Sequence, residues 1–311
     1  MGQEERSEIA ALRGARVRME AIAEQVGRHR STIYREIARN RSRYDGKYRA
    51  GRAEEKTRAR RSRSKRNERI SQEQWSKVEE LLSKKWSPEQ ISGDQKRRKE
   101  MKISHERIYQ YVWADKEKGG RLYEHLRGAR KQRRKRYASK DSRGRLAGKR
   151  AITERPAVVE KRRRVGDWEI DTVMGRGKDC ILTIVERKTG YVQIGKLAAR
   201  TSEETQKVSL KLIRRHGAKV KTITADNGTE FHGYRRIEKR SGVTFYFATP
   251  HHAWERGTNE NTNGLIRQYL PKRQSMAALT QAQCDDLALK LNLRPRKRLR
   301  FKNPYECFFN S

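Results

Sequence analysis

WEIDTVM at residues 168–174 begins the part of the chain that decides the fold. It is followed by DCILTIVER (179–187), TGYVQIGKL (189–197) and, after a helical interval, VKTITAD (220–226). Each run is short, apolar and bounded by turn residues, which is typical of a strand. The interval begins with the capping-box pattern Thr-Ser-Glu-Glu at 201–204, which predicts a helix to about His216. Three strands, a helix and a further strand predict a mixed α/β sheet whose first strands pair as hairpins.

Three acidic residues in this half of the chain are candidate metal ligands. Asp171 lies within the first predicted strand, Asp226 ends the last one, and Glu260 lies in a predicted helix from about Trp254 to Tyr269. A gap of 33 residues separates Asp226 from Glu260. Gathered carboxylates repel one another, and a pair of divalent metal ions offsets that repulsion and serves phosphoryl transfer. An enzyme that cuts or joins nucleic acid is the function this pattern favours.

Local pattern leaves alternatives open for each of these carboxylates. Strand alternation places Asp167, Glu169 and Asp171 on one face, so periodicity does not select among them. Asp226 in Asp-Asn-Gly is also a typical turn residue, and exposed helical glutamates such as Glu260 are common. The local competitors for a ligand role are Glu230 and Glu255.

The predicted helix around Glu260 carries polar residues that suit a supporting role. Asn259 and Asn263 are candidates to orient the metal ligands. Arg267, on the same helical face as Glu260, is a candidate contact to a DNA phosphate.

The charge of the chain predicts a nucleic-acid partner. Its 311 residues include 77 Lys and Arg against 38 Asp and Glu, a formal net charge of +39. Such a chain binds polyanions tightly by releasing their counterions. No apolar run is long enough to span a bilayer, so we expect no membrane partner. The scattered cysteines, odd in number, predict no disulfide framework and a reducing interior.

The chain divides into five predicted regions, so we expect a multidomain protein. Two all-α, helix-turn-helix regions precede an α/β catalytic core. The regions are a helix-turn-helix domain (1–47), a basic linker (48–69), a second helical, helix-turn-helix-like domain (70–126), a second basic linker (127–155) and the catalytic domain (156–311). The linkers are charge-dense and poor in apolar residues, so we expect them to bury no core. A helix ordered on DNA is the alternative for the first linker.

MEAIAEQVGRHRSTIYREIARN (19–40) has the pattern of a DNA-reading helix-turn-helix. Gly27 permits the turn, Ser31 is expected to cap the second helix, and Ile33 and Ile37 would face inward. The second helix of this motif enters the major groove, where arginine can bind guanine in a bidentate way. A generic helical hairpin is the alternative. The candidate DNA contacts are Arg28, Arg30, Ser31, Thr32, Tyr34 and Arg35.

A second segment also has helix-turn-helix character. Ser-Pro-Glu-Gln at 87–90 is a capping-box start, and Ser104 is placed to cap the helix HERIYQYVWA (105–114). The pattern leaves a second DNA reader and a purely structural helical domain equally open.

Three motifs resemble the catalytic motifs of DDE transposases, which have a ribonuclease-H-like, retroviral-integrase-type core. They are GDWEIDTV (166–173), ITADNGTEF (223–231) and PHHAWERGTNENTNGLIRQYLPK (250–272). More narrowly, the chain is similar to bacterial insertion-sequence transposases of the IS-thirty family. That family carries two N-terminal helix-turn-helix regions, a D,D(33)E core and a C-terminal stretch like LNLRPRKRLRFKNPYECF (291–308). Leu293 stands where the family usually has a second asparagine.

The resemblance implies roles and partners that remain expectations at this point. Asp171, Asp226 and Glu260 would be the catalytic residues and hold two Mg²⁺ ions, for which Mn²⁺ can substitute. The enzyme would cleave DNA at the terminal inverted repeats of a mobile element and transfer the 3′-OH to target DNA, acting as a homo-oligomer, at least a dimer. It would work in the bacterial cytoplasm, in association with the nucleoid. The rival classes are a non-enzymatic DNA-binding regulator and a metal nuclease that cuts without joining.

Overall fold

The computed structural model describes residues 1–64, 70–127, 148–177, 179–250, 252–272 and 274–311. It contains two compact units, Met1–Ser71 and Gln72–Ser311, each considered by itself. Among the described helices, none is long and apolar enough to cross a bilayer.

The N-terminal unit is a small all-α domain. Its helices are α1 (Gln3–Gly14), α2 (Met19–Gln25), α3 (Arg30–Asn40) and α4 (Ala50–Ser64). Gly27 has φ +64° in the turn between α2 and α3, as the sequence predicts. The helices close around a core that comprises Ile9, Ile22, Ala23, Ile33, Ile37, Tyr48 and Ala53.

Helix α4 differs from the basic linker expected at 48–69. Ala53 is fully buried, and α4 packs against α1 and α3. Buried Arg6 on α1 binds Glu36 of α3 at 2.7 Å and also binds Glu54 of α4. Ion pairs and the small side chain of Ala53 hold α4 against α1 and α3. A segment with few apolar residues can therefore belong to the folded domain. Residues 65–69 lie outside the described part of the chain.

The second unit begins with three helices, α5 (Gln72–Ser83), α6 (Pro88–Arg98) and α7 (His105–Glu117). The capping box between Ser87 and Gln90 is present, and Ser104 caps α7 by accepting the Arg107 N–H at 3.2 Å. These two helix starts confirm the sequence prediction.

These helices form one compact unit with the C-terminal core, whereas the sequence suggested a separate domain at 70–126. The Gln90 side chain donates to the Pro295 carbonyl at 2.8 Å, and the Tyr269 hydroxyl donates to the Lys84 carbonyl at 3.1 Å. At Gly93 the Phe301 ring lies only 2.3 Å from where a Cβ would stand. Most of the expected second linker, residues 128–147, is outside the described residues.

A five-stranded mixed sheet forms the centre of the second unit. Its strands have the order β3-β2-β1-β4-β5, with β1–β2 and β2–β3 antiparallel and β1–β4 and β4–β5 parallel. This arrangement confirms the predicted α/β fold class and its hairpins. The strands are β1 (Asp167–Met174), β2 (Cys180–Glu186), β3 (Val192–Leu197), β4 (Thr222–Ala225) and β5 (Thr244–Phe247).

Helices cover both faces of the sheet. The helices are α8 (Ala157–Glu160), α9 (Ser202–Arg214), α10 (Tyr234–Ser241), α11 (Gly257–Ile266), α12 (Gln281–Asn292) and α13 (Pro304–Phe309). Trp168 and Ile170 of β1 pack in the core formed with α9 and α10, whereas Val173 packs in the core formed with α11 and α12. Because side chains alternate along a strand, Asp171 is on the α11 side of the sheet.

Candidate active site

Two of the three candidate carboxylates meet at the junction of β1 and β4. These strands are parallel, and the register pairs Glu169 with Thr224. Two residues further along each strand direction come Asp171 and Asp226, which therefore lie side by side. A single guanidinium binds both: Arg256 Nη1 is 3.4 Å from Asp171 Oδ1, and Nη2 is 3.4 Å from Asp226 Oδ2.

Asp171 is held in a partly buried, polar position. Its Oδ2 accepts a hydrogen bond from Asn263 Nδ2 at 2.8 Å, and its Oδ1 accepts the Thr172 N–H at 3.0 Å. Burial raises the pKa of Asp171 to about 6; Arg256 opposes this rise, and the charge of Asp226 adds to it. The ionised form is thus short of stabilising positive charge, which a bound cation would supply.

The turn after β4 fixes Asp226. Oδ1 of Asp226 accepts the Gly228 N–H at 2.9 Å, and the Asn227 side chain donates to the Ala248 carbonyl at 2.8 Å. This is the turn that Asp-Asn-Gly favours, so the turn role and a ligand role coexist in one residue. The turn directs Oδ2 towards Arg256 and hence towards Asp171.

Glu260 does not join these two carboxylates. It is exposed on α11, one helical turn from both Arg256 and Asn263, which contact Asp171. The spacing places it on the same helical face as those residues. Within the described residues, no three His, Cys, Asp or Glu side chains are close enough together to hold a metal ion. The structure therefore brings together Asp171 and Asp226 but not Glu260.

The residues present fit a divalent cation. Asp171 and Asp226 offer carboxylate oxygens, the ligands that Mg²⁺ prefers. The guanidinium of Arg256 bridges them, which shows that the position between the carboxylates attracts positive charge.

The two other acidic residues on this face of β1 are bound elsewhere. Asp167 forms a two-pronged ion pair with Arg164, with both contacts at 2.9 Å. Glu169 accepts the Asn259 N–H at 2.8 Å and lies 3.5 Å from Arg187 Nε. Both carboxylates are buried and already paired, whereas Asp171 is more accessible.

Helix α11 is fastened to the sheet by its asparagines. Thr183 of β2, the partner of Asp171 in the register, donates to Asn259 Oδ1 at 3.1 Å, and its hydroxyl lies 3.3 Å from Asn263 Oδ1. Asn263 thus bridges Thr183 and Asp171. Asn263 therefore contacts Asp171 directly, whereas Asn259 contacts Thr183 and Glu169, and a role for either asparagine in orienting metal ligands stays a prediction.

Arg267 does not face outward as a phosphate contact would. Its Nη2 donates to the Met174 carbonyl at 2.6 Å and its Nη1 to the Leu270 carbonyl at 3.3 Å. Burial lowers the pKa of Arg267. In this structure the guanidinium ties the end of β1 to the segment after α11.

The sequence reasoning missed the roles of two charged neighbours. Arg256 lies in the motif around Glu260 without a local signal of its own, and the sequence presents Glu230 only as a competing ligand. Glu230 is buried, and its Oε1 accepts from Arg200 Nε at 2.9 Å and from Thr172 Oγ1 at 2.8 Å. No sequence pattern links Arg200 to Glu230, because the two residues are far apart in the chain and meet only in the folded structure.

The outward face of α3 carries most of the candidate DNA contacts. Its exposed members are Arg30, Thr32, Tyr34 and Arg35, while Ser31 is half-buried. Ile33 and Ile37 face inward, as predicted. A row of basic and polar side chains on the second helix suits base reading.

Two details of this motif differ from expectation. Ser31 is not the cap of α3: the cap is His29, whose Nδ1 accepts the Ser31 N–H at 3.3 Å and lies 2.8 Å from the Ser31 hydroxyl. An imidazole acceptor can replace the usual hydroxyl because it reaches the same N–H. Arg28 is exposed but paired with Glu5 at 2.9 Å.

Two protein families match parts of the chain. A helix-turn-helix domain family matches residues 1–40, and the integrase core domain family matches residues 161–253.

Full-length relatives match nearly the whole chain. The transposase for insertion sequence element IS4351 of Bacteroides fragilis is 40% identical, over 98% of this chain and 94% of its own length. Transposase InsI for element IS30A of Escherichia coli (strain K12) is 38% identical, over 97% and 81%. The transposase for element IS1086 of Cupriavidus metallidurans is 34% identical, over 97% and 92%.

A solved structure, the catalytic core domain of BIV integrase, also matches. The TM-score is 0.38 at 22% identity, and the match covers 48% of this chain and 96% of that one.

Proposed function

This chain belongs to the IS-thirty family of bacterial insertion-sequence transposases, and we propose from that premise that Asp171, Asp226 and Glu260 carry its catalysis. Its family gives it a DNA-binding helix-turn-helix and an integrase core with polynucleotidyl transferase activity, which depends on divalent metal ions. The observation that carries the assignment is the meeting of Asp171 and Asp226 on neighbouring parallel strands, bridged by one guanidinium.

The proposed reaction is an in-line phosphoryl transfer. When bound, two Mg²⁺ ions, or Mn²⁺ in their place, would activate the attacking oxygen and stabilise the leaving oxygen. Asp171 would contribute to both sites, and Asp226 and Glu260 would each complete one. Water is the attacking group in cleavage, and the freed 3′-OH attacks target DNA in joining. No protein nucleophile enters this scheme.

The surrounding residues would keep the ligands in place. Asn263 holds one oxygen of Asp171, and the turn N–H of Gly228 holds one oxygen of Asp226. The carboxylate of Glu169 accepts the N–H of Asn259 in the first turns of α11 and so holds the helix that carries Glu260. Fixed ligand orientation of this kind sustains metal affinity and activity.

DNA recognition would begin at α3. Arg28, Arg30, Ser31, Thr32, Tyr34 and Arg35 would meet the inverted repeat in its major groove. Bringing two element ends together requires two such domains, so the working form is at least a dimer on DNA, in the bacterial cytoplasm. The α6–α7 segment is a second region available for end or target DNA.

The assignment is tested by charge-neutral substitution of each ligand. Asp171→Asn, Asp226→Asn and Glu260→Gln should each abolish Mg²⁺-dependent cleavage of an end fragment while binding of that fragment is retained. Asp286→Asn, at an exposed carboxylate on α12, is the matched control and should cleave normally. Retained cleavage in any one of the three variants removes that residue from the site.

Joining separates this activity from a metal nuclease that only cuts. With a plasmid supplied as target, end fragments with a free 3′-OH should become covalently joined to it. Cleavage without joined products would favour the nuclease, and absence of both would favour a DNA-binding regulator.

A further inference from the structure

One side chain already occupies the place between the two catalytic carboxylates. The guanidinium of Arg256 spans Asp171 and Asp226, and its Nη1 also lies 3.4 Å from the Ile170 carbonyl. We propose that Arg256 is a resident cation that competes with the metal ions for this position and leaves it for a DNA phosphate when metal and DNA bind. This proposal rests on the assignment of Asp171 and Asp226 as metal ligands.

The contacts of Arg256 are long for a settled ion pair. Both carboxylate distances are 3.4 Å, whereas a charge-assisted hydrogen bond between a guanidinium and a carboxylate spans about 2.7–2.9 Å. Nε of Arg256 is buried and has no hydrogen-bond partner among the described residues. The side chain is therefore placed by charge more than by directed hydrogen bonds, which suits a group that is exchanged.

The place cannot hold both cations. A divalent ion bound between Asp171 and Asp226 would lie within a few ångströms of the guanidinium, where like charges repel strongly in a partly buried site. Metal binding must therefore displace Arg256, and the free energy of its two carboxylate contacts is lost from metal affinity. While Arg256 remains between Asp171 and Asp226, it lowers the affinity of the site for metal.

The position of Arg256 in the chain favours this exchange. It ends the 3₁₀ turn Ala253–Arg256 immediately before α11, so its side chain can move without unwinding the helix. Glu260 follows one turn later on the same face. The segment that withdraws the arginine is thus the segment that carries the third catalytic carboxylate.

A displaced guanidinium would find its next partner on the substrate. Its planar N–H groups match the oxygens of a phosphate in a bidentate way. The phosphate at the cleavage site offers Arg256 the negative charge that the carboxylates, once neutralised by metal, no longer offer it. Arg256 would therefore act first on the metal-free site and then on the DNA.

The test is the affinity for Mn²⁺ of the full chain without DNA, measured by calorimetry. Arg256→Gln should lower the dissociation constant about tenfold, which corresponds to about 1.4 kcal/mol. Arg256→Lys keeps the charge but loses the planar guanidinium that spans both carboxylates. Its dissociation constant for Mn²⁺ should lie between those of wild type and Arg256→Gln. Arg240→Gln on α10 removes the same charge from an exposed arginine and should leave the constant unchanged.

Asp171→Asn separates this proposal from the assignment beneath it. Loss of Mn²⁺ binding in Asp171→Asn together with unchanged or weaker binding in Arg256→Gln overturns the role of Arg256 alone. Wild-type binding in Asp171→Asn overturns the metal site itself. Thermal unfolding with and without Mn²⁺ checks folding: the Mn²⁺-induced rise in Tm should be larger in Arg256→Gln than in wild type.

The transfer of Arg256 to the DNA phosphate is tested by the rate of DNA cleavage. With end DNA and saturating Mn²⁺, Arg256→Gln should cleave more slowly than wild type despite its tighter metal binding. Wild-type cleavage in that variant would overturn the phosphate contact.

Discussion

Replacing Gly228 by alanine tests how closely the turn after β4 controls Asp226, which we propose as a catalytic carboxylate. Gly228 has φ −62° and ψ 142°, values that alanine adopts freely, so backbone strain does not enter. An added Cβ would lie 2.5 Å from Oε2 of Glu230 and 2.9 Å from Oδ1 of Asp226, closer than such atoms approach in proteins. Both carboxylates, or the backbone of the turn, must therefore shift.

Neither carboxylate is free to move without loss. Glu230 is bound by Arg200 and Thr172, and Oδ1 of Asp226 is bound by the N–H of Gly228 itself. Overpacking of this kind costs about 1–3 kcal/mol of stability. A catalytic group displaced by about 1 Å costs about 100-fold in rate. We expect Gly228→Ala to lose activity far beyond its loss of stability.

Cleavage of an end fragment under single-turnover conditions, with Tm measured in parallel, checks this expectation. Gly257→Ala is the matched control: Gly257 begins α11 next to Arg256, and an added Cβ there meets no atom within 4 Å. The control should cleave normally. If Gly228→Ala also cleaves at the wild-type rate, the turn does not position a catalytic ligand and the reasoning fails.

Three further predictions follow from particular contacts. Burial raises the pKa of Asp171 to about 6, above the value of about 3.9 in an unfolded chain. Without metal, the free energy of unfolding therefore falls as the pH rises between these two values and Asp171 ionises. Urea unfolding should therefore find Asp171→Asn more stable than wild type by roughly 2–3 kcal/mol at about pH 8 and equal to it at about pH 4; the same difference at both would refute this. Asn292 pairs with both backbone groups of Val192 at 2.8 Å, so Asn292→Leu should cost about 3 kcal/mol, whereas Leu293→Asn at its exposed neighbour should cost under about 0.5; equal costs would contradict the pairing. Replacing Arg28 and Arg30 together by alanine should weaken binding to the inverted repeat more than binding to random DNA, and equal losses in a titration would show phosphate contact alone.

The sheet was predictable because its strands are short apolar runs with clear turns between them. Val-Lys-Thr-Ile-Thr-Ala-Asp predicts a strand that ends at Asp226, and β4 spans Thr222–Ala225, one residue short of it. The strand β5 and the helices α10 and α12 were not named, since their short or mixed patterns give weaker signals. The sequence of helix α4 resembles a linker because its packing depends on buried Ala53 and the ion pair between Arg6 and Glu54 rather than on apolar periodicity.

The site was predictable only in part, for a physical reason. Alternation along β1 gives Asp167, Glu169 and Asp171 the same face, and only their partners in the fold separate them. The meeting of Asp171 with Asp226 follows from the parallel register of β1 and β4, which no local pattern encodes. Residue patterns left the candidate among these three acidic residues of β1 open, and the resemblance to the family selects Asp171. The catalytic roles of Asp171, Asp226 and Glu260 all stay predictions, and within the described residues the side chain of Glu260 does not join the other two.

The most direct test of the catalytic assignment is a crystal of the full chain soaked in Mn²⁺ and measured for anomalous scattering. We predict a peak at about 2.0–2.3 Å from carboxylate oxygens of Asp171 and Asp226, with the guanidinium of Arg256 withdrawn from between them. A strong Mn²⁺ peak elsewhere, with Arg256 still bridging the two carboxylates, would contradict it.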